Sequence, residues 1–282
     1  MPEVGIICGS GLSGLSSTLT NTLTVSYVDI PNFPDVSVVG HSGEVVIGSL
    51  TERKVPNICF RGRFHSYEGH DMNTVALPVR VMRYLGVKLL VVTNAAGELN
   101  ASYNVGDIVS IMDHFALPMV SGNNPLVGPN DDTLGPRFPP TSNMYDPALQ
   151  ETCLKSASNL NFTDFVRKNG TYCFVSGPMY ESKSDCKFLT SVGGDTVGMS
   201  TVPETLTAHH CGIKVMCLSL VTNKVIVSGD EGPPASHNEV IDAVNKRSQQ
   251  LQDLVSEIVT QLHDTKFLEN ITATPVDDVI LT

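Results

Sequence analysis

The sequence predicts an α/β fold: one domain, a mixed central β-sheet and flanking helices. Three observations predict it. Short β-branched and apolar runs alternate with longer segments of helical period. No internal repeat and no Pro/Gly/Ser-rich linker divides the chain. The last helical segment repeats apolar residues at Ile241, Val244, Leu251, Leu254, Val255 and Ile258, close to a 3.6-residue period, so one of its faces must pack on a sheet.

In chain order, strands are expected at residues 4–8, 44–47, 57–60, 88–93, 107–112, 172–176, 196–199 and 214–220. Each is a short run rich in Val, Ile, Leu, Phe or Cys, and most end at Gly, Ser, Thr or Asn. Helices are expected at 73–85, 146–160, 184–192, 203–210 and 238–263. Two long segments, 121–145 and 228–237, are rich in Pro, Gly, Asn and Asp and read as binding loops or lids. These elements fill a domain over residues 1–264, and residues 265–282 read as a C-terminal tail without periodicity.

The 282 residues are 41% apolar and 17% charged, with 18 Lys plus Arg against 29 Asp plus Glu, a net charge of −11. Such a surface repels phosphate backbones and anionic lipid, so neither nucleic acid nor membrane is an expected partner. The charged fraction is below the usual value of about 25%, which suits a chain that hides surface in an oligomer. Seven scattered cysteines (Cys8, Cys59, Cys153, Cys173, Cys186, Cys211, Cys217) form no CxxC pair and read as buried free thiols of a reducing compartment. No signal peptide and no apolar run of about 20 residues is found, so a cytoplasmic location is expected.

Chemistry gathers where the expected strands end. The run 4–8 leads into Gly9-Ser10-Gly11, 57–60 into Arg61-Gly62-Arg63-Phe64-His65, and 88–93 into Asn94-Ala95-Ala96-Gly97. The later runs lead into Gly177-Pro178, Ser200 and Thr222-Asn223. Ligands of α/β sheets bind outside the carboxyl ends of strands, where small residues admit close backbone approach. Gly9-Ser10-Gly11 offers N–H groups and a hydroxyl to an anion, and Arg63 with His65 adds a guanidinium and a ring donor. Gly9, Gly11 and Gly14 followed by Asp29 also form a dinucleotide-binding fingerprint, which keeps a nicotinamide-dependent oxidoreductase open as an alternative. Asp29 precedes Ile30-Pro31 instead of ending a buried parallel strand, which weighs against that alternative.

Gly9-Ser10-Gly11-Leu12, Gly40-His41-Ser42-Gly43, the segment Gly62-Arg63-Phe64-His65-Ser66-Tyr67-Glu68-Gly69, Thr93-Asn94-Ala95-Ala96-Gly97, Gly198-Met199-Ser200-Thr201-Val202-Pro203-Glu204 and Thr222-Asn223-Lys224 together resemble the trimeric purine nucleoside phosphorylases. The resemblance implies a pentosyltransferase that reversibly cleaves 6-oxopurine nucleosides with inorganic phosphate. It implies no metal and no organic cofactor. Phosphate would be held by Ser10, Arg63, His65, the backbone of Ala95, and Ser200. Ribose would lie against Tyr67, Met199 and His237. The base would meet Glu181 and Asn223 between Tyr180 and Val197. Asn223, Glu181 and His65 would carry the catalytic roles, and Phe138 would reach a neighbouring subunit's site in a homotrimer.

Related methylthioadenosine phosphorylases usually carry Asp where this chain has Asn223, so an amide there favours 6-oxopurines. Met179, Tyr180 and Glu98 depart from the family pattern. Tyr180 stands where Phe is usual, and Glu98 stands where Gly is usual, beside the anion loop. These departures leave open a divergent paralogue with altered nucleoside specificity or methylthioadenosine phosphorylase activity, and a catalytically silent nucleoside-binding protein.

Overall fold

The computed structural model describes residues 1–9, 12–38, 41–226 and 236–271, apart from the side chain of His237. Among these residues, nine strands run in the order β1 (Val4–Ile7), β2 (Thr20–Ser26), β3 (Glu44–Leu50), β4 (Val55–Arg61), β5 (Leu89–Glu98), β6 (Ile108–Ala116), β7 (Val166–Phe174), β8 (Thr196–Gly198) and β9 (Lys214–Lys224). Seven α-helices accompany them within the described residues: α1 (Met72–Tyr84), α2 (Leu117–Val120), α3 (Pro147–Asn159), α4 (Lys183–Ser191), α5 (Val202–His210), α6 (His237–Asp264) and α7 (Phe267–Asn270). The sheet order is β2-β3-β4-β1-β5-β8-β7-β6-β9, and β5 also pairs with β9, so the last five strands close into a barrel-like ring.

The sheet is mixed. β1 lies parallel to β4 and β5, and β5 lies parallel to β9, whereas β8 meets β5 and β6 meets β9 antiparallel. Parallel strands covered on both faces read as continuous apolar runs, and β1, with all four residues buried, is such a run. Two cores result. α1 and α5 pack on one face through Val75, Val79, Met82, Val202 and Leu206. α3 and α6 pack on the other through Leu149, Cys153, Leu251, Leu254, Val255 and Ile258. Burying each of these large α6 side chains contributes about 2 kcal/mol of transfer free energy, so the amphipathic face seen in the sequence is what anchors this helix.

Several expected boundaries move. β2 falls outside the expected strands. It is a mostly exposed edge strand with Leu23 and Val25 as its only large apolar residues, so it has almost no hydrophobic pattern to read. β5 continues through Asn94-Ala95-Ala96-Gly97, expected as loop, with a bulge between Ala96 and Gly97. The dinucleotide alternative is overturned. β1 is followed by a short 3-10 helix, Ser13–Thr18, and then by an edge strand antiparallel to β3. Asp29 closes a second 3-10 turn, Tyr27–Asp29, instead of a buried parallel strand. Beyond α6 the chain makes one more turn, α7, which buries Leu268 and lends its carbonyl to the Lys88 ammonium.

Candidate active site

The carboxyl ends of β1, β4, β5, β8 and β9 converge on one cavity of about 410 Å³. Gly9, Arg63, His65, Tyr67, Asn94–Gly97, Pro178, Tyr180, Glu181, Val197–Ser200, Thr222 and Asn223 line it. Strand ends more than 200 residues apart in sequence therefore share one wall. The approach at Gly9 needs glycine: a Cβ there would stand 2.7 Å from the Thr93 carbonyl oxygen and 2.9 Å from the Asn94 Cα. Its N–H donates to Thr93 Oγ1 at 3.2 Å, which ties the turn after β1 to β5.

Arg63 is the centre of the anion side. It is 3% exposed, and Nη1 donates to Ser200 Oγ at 2.7 Å and to Thr201 Oγ1 at 2.9 Å. Nη2 donates to the Thr93 carbonyl at 2.6 Å, and Nε faces the buried Glu204 carboxylate at 3.6 Å. The guanidinium is thus fixed in place by strand ends and by the start of α5. Ser200 and Thr201 immediately precede that helix, so its positive dipole end faces the same place.

His65 donates from Nδ1 to Glu68 Oε2 at 2.8 Å, and its ring stacks on Tyr67 with centroids 4.5 Å apart. Burial lowers the His65 pKa against the raising pull of Glu68, so the ring is neutral at pH 7. Burial would raise the Glu68 carboxyl, but hydrogen bonds from His65 and Ser37 outweigh it and hold it at about 2. With Nδ1–H given to a carboxylate, Nε2 carries the lone pair. The ring can accept one proton there.

Across the cavity, Glu181 precedes the Ser182 cap of α4, and burial raises its pKa. Asn223 lies at the end of β9, where its Oδ1 accepts from the Thr222 hydroxyl at 3.2 Å. Its Nδ2 stands against Gly97, where a Cβ would come within 3.3 Å of it. Val197 is buried and Tyr180 is 40% exposed.

The structure brings together Arg63, His65, Tyr67, Ala95, Tyr180, Glu181, Val197, Met199, Ser200 and Asn223. Ser10 and the His237 side chain lie outside the described residues. Phe138 is 86% exposed in the 121–145 loop, beneath the Arg137 guanidinium, and is absent from this cavity. Glu98 and Met179 are not among its lining residues either. Glu98 corrects the expectation of a carboxylate beside the anion loop: it ends β5 and its buried carboxylate faces Lys224 Nζ at 3.9 Å. Glu68, Thr93, Asn94, Thr201 and Glu204 steady the lining side chains, yet in the sequence they are only letters of motifs. Nothing in the local pattern of a buried Thr or Glu reports which side chain it holds.

Fold and pocket define a phosphorylase-superfamily protein, and the sequence profile of the Phosphorylase superfamily matches residues 3–260. Purine nucleoside phosphorylase of Bos taurus is 44% identical over 261 residues, which cover 93% of this chain and 89% of the relative. Purine nucleoside phosphorylase 1 of Bacillus subtilis is 43% identical, covering 92% of both chains. A crystal structure of Schistosoma mansoni purine nucleoside phosphorylase in complex with inosine superposes with a TM-score of 0.87 at 44% identity, over 93% of this chain and 90% of that one. The chain belongs to the purine nucleoside phosphorylases.

Proposed function

We propose that the chain catalyses reversible phosphorolysis of 6-oxopurine nucleosides, inosine and guanosine and their deoxy forms, to free base and (deoxy)ribose 1-phosphate. One observation carries this reading: the fixed Arg63 anion site and Glu181 with Asn223 line the same cavity. Schistosoma structures in complex with inosine, with guanosine, and with cytosine and ribose-1-phosphate support it.

Phosphate is the second substrate. Arg63, Ser200, the Ala95 backbone and Ser10 hold it, and neutral His65, its Nδ1–H given to Glu68, presents Nε2 to accept a hydrogen bond from a phosphate hydroxyl. Tyr67, Met199 and His237 seat the ribose so that its anomeric carbon lies between phosphate and base. Glu181, ionised, accepts the base N–H. Asn223 Nδ2 donates to the oxygen or ring nitrogen where negative charge grows as the glycosidic bond breaks. That contact is stronger in the transition state than in the ground state, and so lowers the barrier. Fixed positioning of phosphate supplies much of the remaining acceleration.

An exposed apolar surface that includes Leu117, Val120, Val127 and Phe138 supports a homotrimer in which Phe138 completes a neighbouring site. The test is hypoxanthine release from inosine with and without inorganic phosphate. Release that requires phosphate is expected. Equal release without it identifies a hydrolase, and binding without release identifies a silent nucleoside-binding protein.

A further inference from the structure

We propose that Thr201, steadied by Asn94, is a positioning residue that turns the Ser200 hydroxyl hydrogen toward the bound phosphate. This rests on the phosphate-site reading above.

Thr201 is conspicuous on two independent grounds. Its backbone lies at φ 78°, ψ −53°, and the Val202 N–H donates to the Ser200 carbonyl at 2.9 Å, which together make a γ-turn of the rarer hand. A β-branched residue holds that conformation only where the surrounding structure imposes it, and such residues cluster at functional sites. Thr201 is also the N-cap of α5, yet its hydroxyl makes no capping bond. An N-cap threonine ordinarily gives its oxygen to the helix. Here the fully buried hydroxyl is turned into the phosphate-binding network instead.

Counting hydrogens assigns its task. A hydroxyl has two acceptor positions and one hydrogen. Thr201 Oγ1 receives Arg63 Nη1 at 2.9 Å and Asn94 Nδ2 at 3.0 Å, which fills both positions. Its own hydrogen must then be donated, and Ser200 Oγ lies 3.2 Å away. Ser200 Oγ already receives the second Nη1 hydrogen of Arg63 at 2.7 Å. With the Thr201 hydrogen added, both Ser200 acceptor positions are occupied. Its single hydrogen then has two acceptors, the buried Tyr172 hydroxyl and, when phosphate is bound, a phosphate oxygen, and the charged oxygen is the stronger of the two. A freely rotating serine could present a lone pair to the anion instead. The relay from Asn94 through Thr201 to Ser200 removes that repulsive orientation. If the Asn94 amide is reversed so that its oxygen faces Thr201, every hydrogen in the chain points inward and Ser200 opposes phosphate.

The two orientations predict opposite signs for Thr201→Val, which keeps the branched shape and removes the hydroxyl. The relay predicts a phosphate KM raised roughly tenfold, in line with a weakened hydrogen bond to a charged group. The nucleoside KM should stay within about twofold, and Thr201→Ser should restore the phosphate KM; the thermal midpoint falls in Thr201→Val whether or not the relay operates, because two buried donors lose their acceptor. A phosphate KM that is unchanged or lower in Thr201→Val overturns the relay. Parallel rises in both KM values also overturn it, by showing a purely structural role. If Thr201→Val does not fold, Thr201→Ala carries the same comparison. Arg63→Ala is measured beside these variants: an unaltered phosphate KM there refutes the phosphate site itself, whereas a raised one with normal Thr201 variants refutes the relay alone.

Discussion

The two ends of the cavity are built differently. At the phosphate end, Arg63 is buried, and its guanidinium is tied to Thr93, Ser200 and Thr201 and faces Glu204. At the base end, Tyr180 is partly exposed and the neighbouring Met179 is 72% exposed. Asn223 accepts a side-chain hydrogen bond from Thr222, and Glu181 is only partly buried. The contrast follows from the ligands. A small, strongly hydrated anion releases its water only to donors that are already in place. A planar base gains most from apolar contact, which tolerates small displacements, and needs few directed bonds.

That contrast can be broken most sharply at Arg63. Arg63→Ala should lower kcat/KM for phosphate about a thousandfold. It should also lower Tm, because Glu204 is left as a buried, unpaired carboxylate, a loss of about 3–5 kcal/mol. Adding Glu204→Gln should return much of the stability and none of the phosphate affinity. If the double variant stays as unstable as Arg63→Ala, the pairing of these two groups is not what matters to the fold.

At the softer end, Asn223→Asp replaces a donor with an acceptor suited to a 6-amino group. The ratio of kcat/KM for inosine to that for adenosine should fall roughly a hundredfold, as two charge-assisted contacts change sign. Phosphate KM should stay constant. An unchanged ratio would remove Asn223 from the base site.

The smallest effect separates the two ends by pH. Glu181 accepts the base N–H only when ionised, and burial raises its pKa from 4.5. The nucleoside kcat/KM should therefore fall as pH is lowered through a value above that of an ordinary glutamate. His65 also loses its proton-accepting form as pH falls, but its pKa is shifted downward from 6.5, so that loss comes at more acid pH than for an ordinary histidine. Glu181→Gln should cost about tenfold at neutral pH and abolish the Glu181 limb. A pH profile identical to that of the unsubstituted protein would show that Glu181 does not titrate in the reaction.

Much of the fold and of the site is legible in the order of residues. The strands β1, β4, β5 and β9 are apolar runs that stop at Gly, Ser, Thr or Asn, and those stops mark the cavity wall. α6 is visible because its buried face repeats at helical period. β2 is not, because an exposed edge strand has no buried face to impose alternation. The 3-10 turns that disqualify the dinucleotide motif are equally hidden, since Gly9 and Gly14 look alike as letters. Only in the fold does Gly9 press on β5, while Gly14 lies against Gln252 of α6.

Residue order alone settles the α/β class, the strand ends and the kinds of side chain available there. These depend on periodicity and on small residues at turns, which are local. Tertiary structure decides which of those ends meet, that Glu98 faces Lys224 and not the anion, and that Arg63 is held by Glu204, Ser200 and Thr201. These contacts join residues about 125 to 140 positions apart along the chain. No local pattern encodes them, because the direction of a buried hydrogen bond depends on every donor and acceptor that the closed sheet brings beside it.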